Sequence, residues 1–485
     1  MPVASLGLAP RTAGGPKVPA HECERSIVRT DRDAHSEGMT RTKAEPAARA
    51  IAADAHAITG AVDDYDGLLD LIGSRSLVLI GEASHGTHDF YRERARITRR
   101  LVDELGFNAV AVEGDFPDAY RVNRYVMGLS ADVDAEHALR DFRRFPAWMW
   151  RNTDVVEFVE WARARNDAHR HPATRVRFVG LDLYSLRASM EAVVAYLDRI
   201  DPAEAQRARQ RYSCFDHFGV DGQAYGYALA FEAAVPCENE VVAQLIELRQ
   251  RSEAYLRRDG WIAEDELFFA EQNALLVRDA EEYYQQMYRA ELSSWNLRDR
   301  HMTNTLDALA DHLEQQFGHA KVVVWEHNSH VGDARATAMG ARGELTVGQL
   351  TRQRHRDDAV LIGFTTFDGR VTAASDWGSH PERKHVRPAH PASHEALLHE
   401  VDVPSFWIAT RDPGAGDALR PPRLERAIGV IYRPETELQS HYFDARLADQ
   451  FDAVMHIDRT RALRPLERTA AWDRGEPPET FPSGL

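Results

Sequence analysis

The sequence predicts an α/β protein with a mainly parallel sheet flanked by helices. Its apolar runs are short and continuous, as in LVLI and KVVVW, which is typical of strands covered on both faces. These runs alternate with longer stretches of helical periodicity. Strands that alternate with helices indicate right-handed crossovers and a parallel sheet.

The first strand–helix–strand unit occupies residues 76–112. A strand at 77–80 ends at Gly81, a helix follows at 89–105, and a second strand spans 108–112. Further strands are predicted at 175–181, 321–325, 359–365, 370–374, 405–409, 426–432 and 451–457.

The chain divides into an α/β core and flanking regions. Residues 1–45 are rich in Gly, Pro, Ala, Arg and Asp without periodicity, which predicts a disordered extension. The core is assigned to residues 46–184 and 318–465, and a C-terminal tail to 466–485.

Residues 185–317 are predominantly helical and are predicted to form a large lobe. Within the lobe, the aromatic-rich and Gly-containing stretch 212–237 is expected to be a loop or lid. Residues 265–317 contain neither Pro nor Gly, so they form either one long helix or two helices with a bend near 293–296.

Composition excludes some classes of partner. The chain has 485 residues, 44% of them hydrophobic, and a net charge of −17. A general nucleic-acid binder needs a basic surface, and docking on anionic lipid needs basic residues. We therefore expect neither partner, and oligomeric state is not predicted.

Cysteine usage and hydropathy favour a cytoplasmic location. Cys23, Cys214 and Cys237 are odd in number and lack CxxC spacing, so neither a disulfide framework nor a zinc ribbon is indicated. This pattern fits a reducing compartment. No run of 18 apolar residues and no apolar signal segment is present, so no membrane span is expected.

Polar residues follow four of the predicted strands at the point where each strand ends. Ligands of parallel sheets bind beyond the carboxyl ends of the strands, so this concentration predicts a functional site. The residues concerned are Glu82 and His85, Glu113 and Asp115, Asp182, and Glu326, His327 and His330.

Arg94 lies on the apolar stripe of the first long helix, between Phe90 and Ile97. A buried guanidinium is costly unless an anion pairs with it. We expect Arg94 to pair with Glu82 and Glu113; the alternative is that it extends to solvent along the helix surface.

The motifs leave hydrolysis by water attack as the first hypothesis. The sequence contains no G-x-S-x-G pattern, which would indicate a serine hydrolase. It also contains no G-x-G-x-x-G after the first strand and no G-x-x-x-x-G-K-[ST], which would indicate a nucleotide site. A histidine oriented by a carboxylate can take a proton from water, and an arginine or a protonated second histidine can stabilise the oxyanion. The substrate bond would be an ester, lactone or amide.

Two alternatives remain open. Glutamate and histidine ligands at the strand ends could hold a divalent metal that activates water. An extended segment would place His327 and His330 on opposite faces, which weakens a metal site shared by that pair. The other alternative is a non-catalytic small-molecule binding protein or an accessory protein of cell-envelope biosynthesis.

Several motifs resemble the erythromycin esterase family, and the likeness covers about residues 48–465. They are LIGEASHGTHDFYRERARIT, AVEGDFPDAYRVNRYV, FPAWMWRN, SWNLRDRHM, VVVWEHNSHVGDAR and SHYFDARLADQFDAVMHID. The resemblance implies an α/β core and a helical lobe that forms one side of a deep cleft.

The resemblance also implies metal-independent hydrolysis without a cofactor, of a lactone in the macrolide-cleaving members. It assigns the general base to His85 and its partner to Glu82, and it adds Arg94, Glu113, His327 and His330 to the site. We further expect Asp115, Trp148, Trp150 and Asn328 to bind the small-molecule substrate. Stretch 212–237 is typical of relatives outside antibiotic resistance, so the resemblance implies hydrolase chemistry and leaves macrolide cleavage open.

Overall fold

The computed structural model describes residues 40–169, 171–218, 222–231, 235–259, 261–288 and 291–475. The strands are β1 (His56–Ala57), β2 (Leu77–Ile80), β3 (Ala109–Asp115), β4 (Arg177–Asp182), β5 (Val322–Trp325), β6 (Ala359–Thr365), β7 (Asp368–Ala373), β8 (Glu382–Val386), β9 (Ser405–Ala409), β10 (Arg423–Arg426), β11 (Tyr442–Ala445), β12 (Ala453–Ile457) and β13 (Arg459–Thr460).

The α-helices account for most of the remaining described residues. They are α1 (Thr40–Asp54), α2 (Asp66–Ile72), α3 (His88–Glu104), α4 (Phe116–Val126), α5 (Ala135–Ala138), α6 (Thr153–Ala168), α7 (Leu186–Ile200), α8 (Pro202–Tyr212), α9 (Gly222–Ala230), α10 (Glu238–Asp259), α11 (Trp261–Gln286), α12 (Glu291–Phe317), α13 (Asn328–Val331), α14 (Ala338–Ala341), α15 (Val347–His355), α16 (His394–His399), α17 (Pro413–Leu419), α18 (Glu437–Ser440), α19 (Leu447–Gln450) and α20 (Ala470–Arg474). In the part of the chain that the structure describes, no helix combines the length and apolarity needed to cross a bilayer.

An eight-stranded sheet forms the centre of the fold, in the order β1-β9-β12-β6-β2-β5-β3-β4. The six strands from β12 to β4 are parallel to one another, β9 runs antiparallel to β12, and the edge strand β1 pairs antiparallel with β9. The predicted α/β class with a mainly parallel sheet is therefore confirmed. The order places β2, β5, β3 and β4 side by side, so the polar residues that follow them meet at one edge.

Both faces of the sheet are covered by apolar residues. On β5, Val322 and Val324 join the cluster that continues into helices α7 to α12, whereas Val323 and Trp325 join the cluster packed on α3, α4 and α6. This alternation follows from the two-residue period of a strand. The helical lobe therefore shares one apolar core with a face of the sheet.

Some predicted elements differ from those observed. Residues 427–432 are not a strand: Ile428 bridges Ser84 and Ile431 bridges Ala374 as isolated pairs, so the segment is tied to two different loops and makes no continuous ladder. Residues 40–45 were predicted to be disordered but lie within α1. The remainder of the predicted extension, residues 1–39, lies outside the described residues.

The lobe also departs from expectation. The stretch 265–317 belongs to two helices, α11 and α12, and the break falls after Gln286 rather than near 293–296. The described residues of 212–237 are mostly helical, with a 3₁₀ turn at Ser213–Phe218 followed by α9, so the predicted loop is wrong for them, whereas the lid stays a prediction.

The cysteine prediction is also wrong, because Cys214 and Cys237 form a disulfide within the lobe. Their Cα atoms lie 6.1 Å apart, within the range that a disulfide bridges. An odd cysteine count does not reveal such a pair, since pairing depends on a fold that brings together residues 23 positions apart. Cys23 lies outside the described residues.

Candidate active site

A cleft opens at the carboxyl ends of β2, β3, β4 and β5. Its floor is polar, and much of its wall is aromatic. The lining residues are His85, Glu113, Gly114, Asp115, Phe142, Arg144, Pro146, Ala147, Met149, Trp150, Asp182, Tyr184, Trp295, Arg298, His327, Ser329, His330, Trp377, Ala427, Gly429 and Val430. An aromatic wall with a few convergent polar groups is typical of a small-molecule site.

His85 is held by a carboxylate in the loop between β2 and α3. Its Nδ1 lies 2.9 Å from Glu82 Oε1, and its exposed fraction is only 7%. A carboxylate accepts, so Nδ1 carries the proton and the Nε2 lone pair faces the cleft. The loop requires a glycine at 86, because a Cβ there would lie 1.8 Å from the Thr372 carbonyl oxygen.

Arg94 pairs with Glu82, as predicted, with 2.7 Å between Nη2 and Oε2. Its guanidinium lies between two aromatic rings, 4.4 Å from the centroid of Tyr91 and 5.2 Å from that of Trp325. Arg94 is 1% exposed and is not among the cleft-lining residues. It therefore holds Glu82 from behind and is not placed to touch a substrate.

Glu113 pairs with Arg298 rather than with Arg94. Arg298 Nη2 lies 2.8 Å from Glu113 Oε1 and 2.8 Å from Asp182 Oδ2, and its Nε lies 3.0 Å from Asp182 Oδ1. The guanidinium thus joins the ends of β3 and β4. The second half of the Arg94 prediction is wrong, because a lobe helix supplies the cation for Glu113.

Burial alone would raise the pKa of Glu113, but the charges that His330 and His85 carry when protonated, together with the charge of Arg298, lower it well below its usual range. The carboxylate also accepts a hydrogen bond from the backbone N–H of His327 at 2.9 Å. Glu113 is therefore an anion throughout the physiological pH range, and its Oε1 lies 4.0 Å from His85 Nε2.

His327 presents a neutral ring to the cleft. Its Nδ1 accepts from the backbone N–H of Ser329 at 3.2 Å, so its proton lies on Nε2. Burial, followed by the charge that His85 carries when protonated, lowers its pKa well below the usual value. Nε2 is buried, and a backbone hydrogen bond with Ala83 partly offsets the lowering of the pKa.

His330 lies between Asp299 and Arg298. Its Nδ1 donates to Asp299 Oδ1 at 2.9 Å, and its Nε2 accepts from Arg298 Nη1 at 3.0 Å, which is the pattern of a neutral ring. Burial lowers its pKa, but Asp299 and Glu113 raise it more. Protonation at Nε2 would break the bond to Arg298, because both nitrogens would then be donors.

The segment that carries these two histidines is helical, not extended. Asn328–Val331 form α13, and the rings of His85 and His327 lie 4.7 Å apart while His330 stacks on Trp295 at 4.6 Å. The expected extended geometry is wrong, because His327 caps a helical turn through its ring nitrogen. In the described residues, no group of three or more His, Cys, Asp or Glu is arranged to hold a metal ion.

Two of the four predicted substrate-binding residues line the cleft. Asp115 accepts from Arg144 Nε at 3.0 Å, and Trp150 donates from Nε1 to the Glu113 carbonyl at 3.2 Å. Trp148 and Asn328 are buried and are not among the described residues that line the cleft.

Asn328 instead connects the site to the sheet. Its Nδ2 donates to the Phe364 carbonyl at 2.7 Å and its Oδ1 accepts from the Phe364 N–H at 3.2 Å. A Cβ at residue 81 would lie 2.2 Å from Asn328 Oδ1, so the glycine that ends β2 makes room for this amide.

We expect Asn328→Ala to lower the free energy of unfolding by about 2–4 kcal/mol, because it leaves both backbone groups of Phe364 unpaired in the core. Urea unfolding would measure the change. Asn296→Ala is the matched control, since Asn296 also bonds one N–H and one carbonyl but is only half-buried, and it should cost less. Equal costs for the two variants would contradict this assignment.

Sequence reasoning missed several residues of the site. Arg298 and Asp299 lie on α12, and Arg144 and Tyr184 complete the wall. The guanidinium carbons of Arg144 and Arg298 lie 4.5 and 4.8 Å from the Tyr184 ring centroid. The motif SWNLRDRHM contained a signal, since an adjacent Arg and Asp occur on a helix that packs against the sheet.

Solved structures of other proteins share this fold. A succinoglycan biosynthesis protein superposes with a TM-score of 0.70 at 20% identity, covering 87% of this chain and 99% of that chain. A protein from Bacillus cereus gives 0.70 at 19% identity, covering 87% and 99%. A mutant of the erythromycin esterase EreC in its open conformation gives 0.61 at 16% identity, covering 82% and 94%.

Sequence comparisons agree. Erythromycin esterase type II of Escherichia coli is 22% identical over 421 residues, which cover 82% of this chain and 93% of that protein. The putative hydrolase YbfO of Bacillus subtilis (strain 168) is 22% identical over 414 residues, covering 81% and 85%. The family model described as erythromycin esterase matches residues 102–460, well over half of the chain. The protein therefore belongs to the erythromycin esterase family.

Proposed function

We propose that the protein is a hydrolase that directs water onto an ester or lactone carbonyl, with His85 as general base. The observation that carries this proposal is the Glu82–His85 contact, which fixes the ring so that the Nε2 lone pair faces a cleft. A neutral imidazole held in this way takes a proton from water near neutral pH.

The attacking water has a defined place in this proposal. His85 Nε2 and Glu113 Oε1 are 4.0 Å apart, too far for a direct hydrogen bond but close enough for one water to bond both. His85 takes one proton of that water while Glu113 accepts the other as a hydrogen bond. Arg298 and the His327 N–H fix Glu113 for this role.

The oxyanion of the tetrahedral intermediate needs a donor on the opposite side of the carbonyl. The His327 Nε2–H is buried, neutral and beside His85, so it can donate without bringing a positive charge close to the base. Arg298, which lines the cleft as Arg144 does, binds Glu113 and supplies the longer-range positive charge. Collapse of the intermediate returns the proton from His85 to the leaving alkoxide.

The wall of the cleft favours a substrate with a large apolar surface. Trp150, Trp295, Trp377 and Tyr184 surround the polar floor, and such rings stack on rigid apolar faces. A macrocyclic lactone and a bulky ester both meet this requirement. The Escherichia coli relative and the structural relative EreC are both named as erythromycin esterases, which makes a macrolide the first substrate to test.

Incubation with a 14-membered macrolide and with a panel of bulky and small esters tests the function. We expect mass spectrometry to show addition of one water to at least one compound. If another ester is hydrolysed but the macrolide is not, macrolides are excluded as substrates and the hydrolase proposal stands. Absence of all turnover, together with a ligand-induced rise in Tm, would replace the hydrolase with a binding protein.

The metal-assisted alternative is tested in the same assay. Because a base, a water position and a neutral oxyanion donor are all supplied by side chains, we expect activity to be unchanged after exhaustive EDTA treatment. Elemental analysis of protein purified without chelator provides the control. Loss of activity on EDTA treatment that Zn²⁺ or Mn²⁺ restores would overturn the side-chain mechanism.

A further inference from the structure

Glu326 is a buried carboxyl beneath the cleft that the mechanism above does not use. It follows β5 directly and is 1% exposed. The alternation of the strand directs it to the face of Val322 and Val324, toward α12. In the part of the chain that the structure describes, neither of its oxygens has a hydrogen-bond donor or a cation as partner.

The charged groups around Glu326 come from three elements. They are Glu113 on β3, Asp182 on β4, and Arg298 and Asp299 on α12. Three of these four are carboxyls, and each of the three has partners of its own. Arg298 binds Glu113 and Asp182, while His330 and the Val347 N–H bind Asp299.

An ionised Glu326 would therefore be a buried anion without a partner, among other anions. The desolvation penalty of such a group is several kcal/mol. A carboxyl in this position keeps its proton instead. In agreement, burial and then the charges of Glu113 and Asp299 raise the pKa of Glu326 well above its usual value.

We propose that Glu326 is a positioning residue that carries a proton, and that its neutral state leaves Arg298 bound to Glu113 and Asp182. Ionisation of Glu326 would add a third anion that competes for the same guanidinium. Arg298 would then move from Glu113, which loses the partner that fixes it beside the attacking water. The catalytic part of this inference rests on the proposed hydrolase function, whereas the protonation state does not.

Glu326→Gln tests the protonation state without any substrate, because the amide mimics a neutral acid and cannot ionise. In the wild type the folded protein binds this proton more tightly than the unfolded chain. The stabilisation is complete below about pH 4.5 and is lost as the pH rises toward the folded-state pKa. We expect the Tm of the variant, relative to wild type, to rise by about 2 °C or more between pH 5 and pH 8.

The catalytic consequence is measured with the ester or macrolide that the wild type turns over. We expect the alkaline limb of the kcat/KM profile to move at least one pH unit higher in Glu326→Gln. Glu281→Gln is the control, because Glu281 is equally buried but lies in the lobe, bonded to Tyr225 and Gln285. Its pH profile should match that of the wild type.

If the Tm difference between Glu326→Gln and the wild type does not depend on pH, the inference that Glu326 is protonated is wrong. A pH-dependent Tm difference with an unmoved alkaline limb, or with a variant inactive at every pH, would overturn the positioning role. If no compound in the panel is turned over by the wild type, the hydrolase proposal fails, and the thermal measurement still decides whether Glu326 is neutral.

Discussion

Replacement of His85 by alanine is expected to lower kcat/KM by about 10²–10⁴-fold on any ester or lactone that the wild type hydrolyses. The variant loses the ring that Glu82 holds 4.0 Å from Glu113, which is the base of the proposed mechanism. Glu82 keeps its ion pair with Arg94, so no carboxylate is left without a partner. The Tm should therefore remain within a few degrees of the wild type.

A histidine three residues further along the chain provides the matched control. His88 begins α3 and pairs with Asp154 at 2.9 Å, but it does not line the cleft. His88→Ala should retain most activity. A His85→Ala enzyme with more than about a tenth of wild-type activity would rule out His85 as the general base, and equal losses in both variants would point to a structural effect.

The half of the site nearest in sequence to His85 could be predicted because it depends on local periodicity. Glu82 and His85 are three residues apart in one loop, and Arg94 was identified from the apolar stripe of α3. The hydrophobic pattern also revealed the buried parallel strands. In each case the contact joins residues of one strand–helix unit, so spacing alone brings them together.

The other half depends on contacts that spacing does not encode. Arg298 is 185 residues from Glu113 in the chain, and its position follows from how α12 packs on the sheet. Because Arg298 binds Glu113, Arg94 pairs with Glu82 alone of the two glutamates. Likewise, the orientation of His327 depends on a helical turn that its own ring caps. The prediction that residues 326–330 are extended could not show this orientation.

The second large effect is expected at His327. His327→Ala should lower kcat by about 10²–10³-fold with little change in KM, because it removes a donor that acts on the oxyanion rather than on the ground-state carbonyl. The effect should be the same from pH 6 to pH 8, since the depressed pKa of His327 keeps the ring neutral over that range.

His327→Gln distinguishes donation from charge or packing, because the Gln amide can place an N–H close to the position of Nε2 while remaining neutral. We expect it to recover part of the lost kcat. Ser329→Ala is a graded control: Ser329 Oγ lies 2.8 Å from His327 Nδ1, but the Ser329 N–H still fixes the tautomer, so its loss should be less than about tenfold. If Gln were no better than Ala and His327→Lys were active, the oxyanion would need a cation, and Arg298 would have to take the role that we assign to His327.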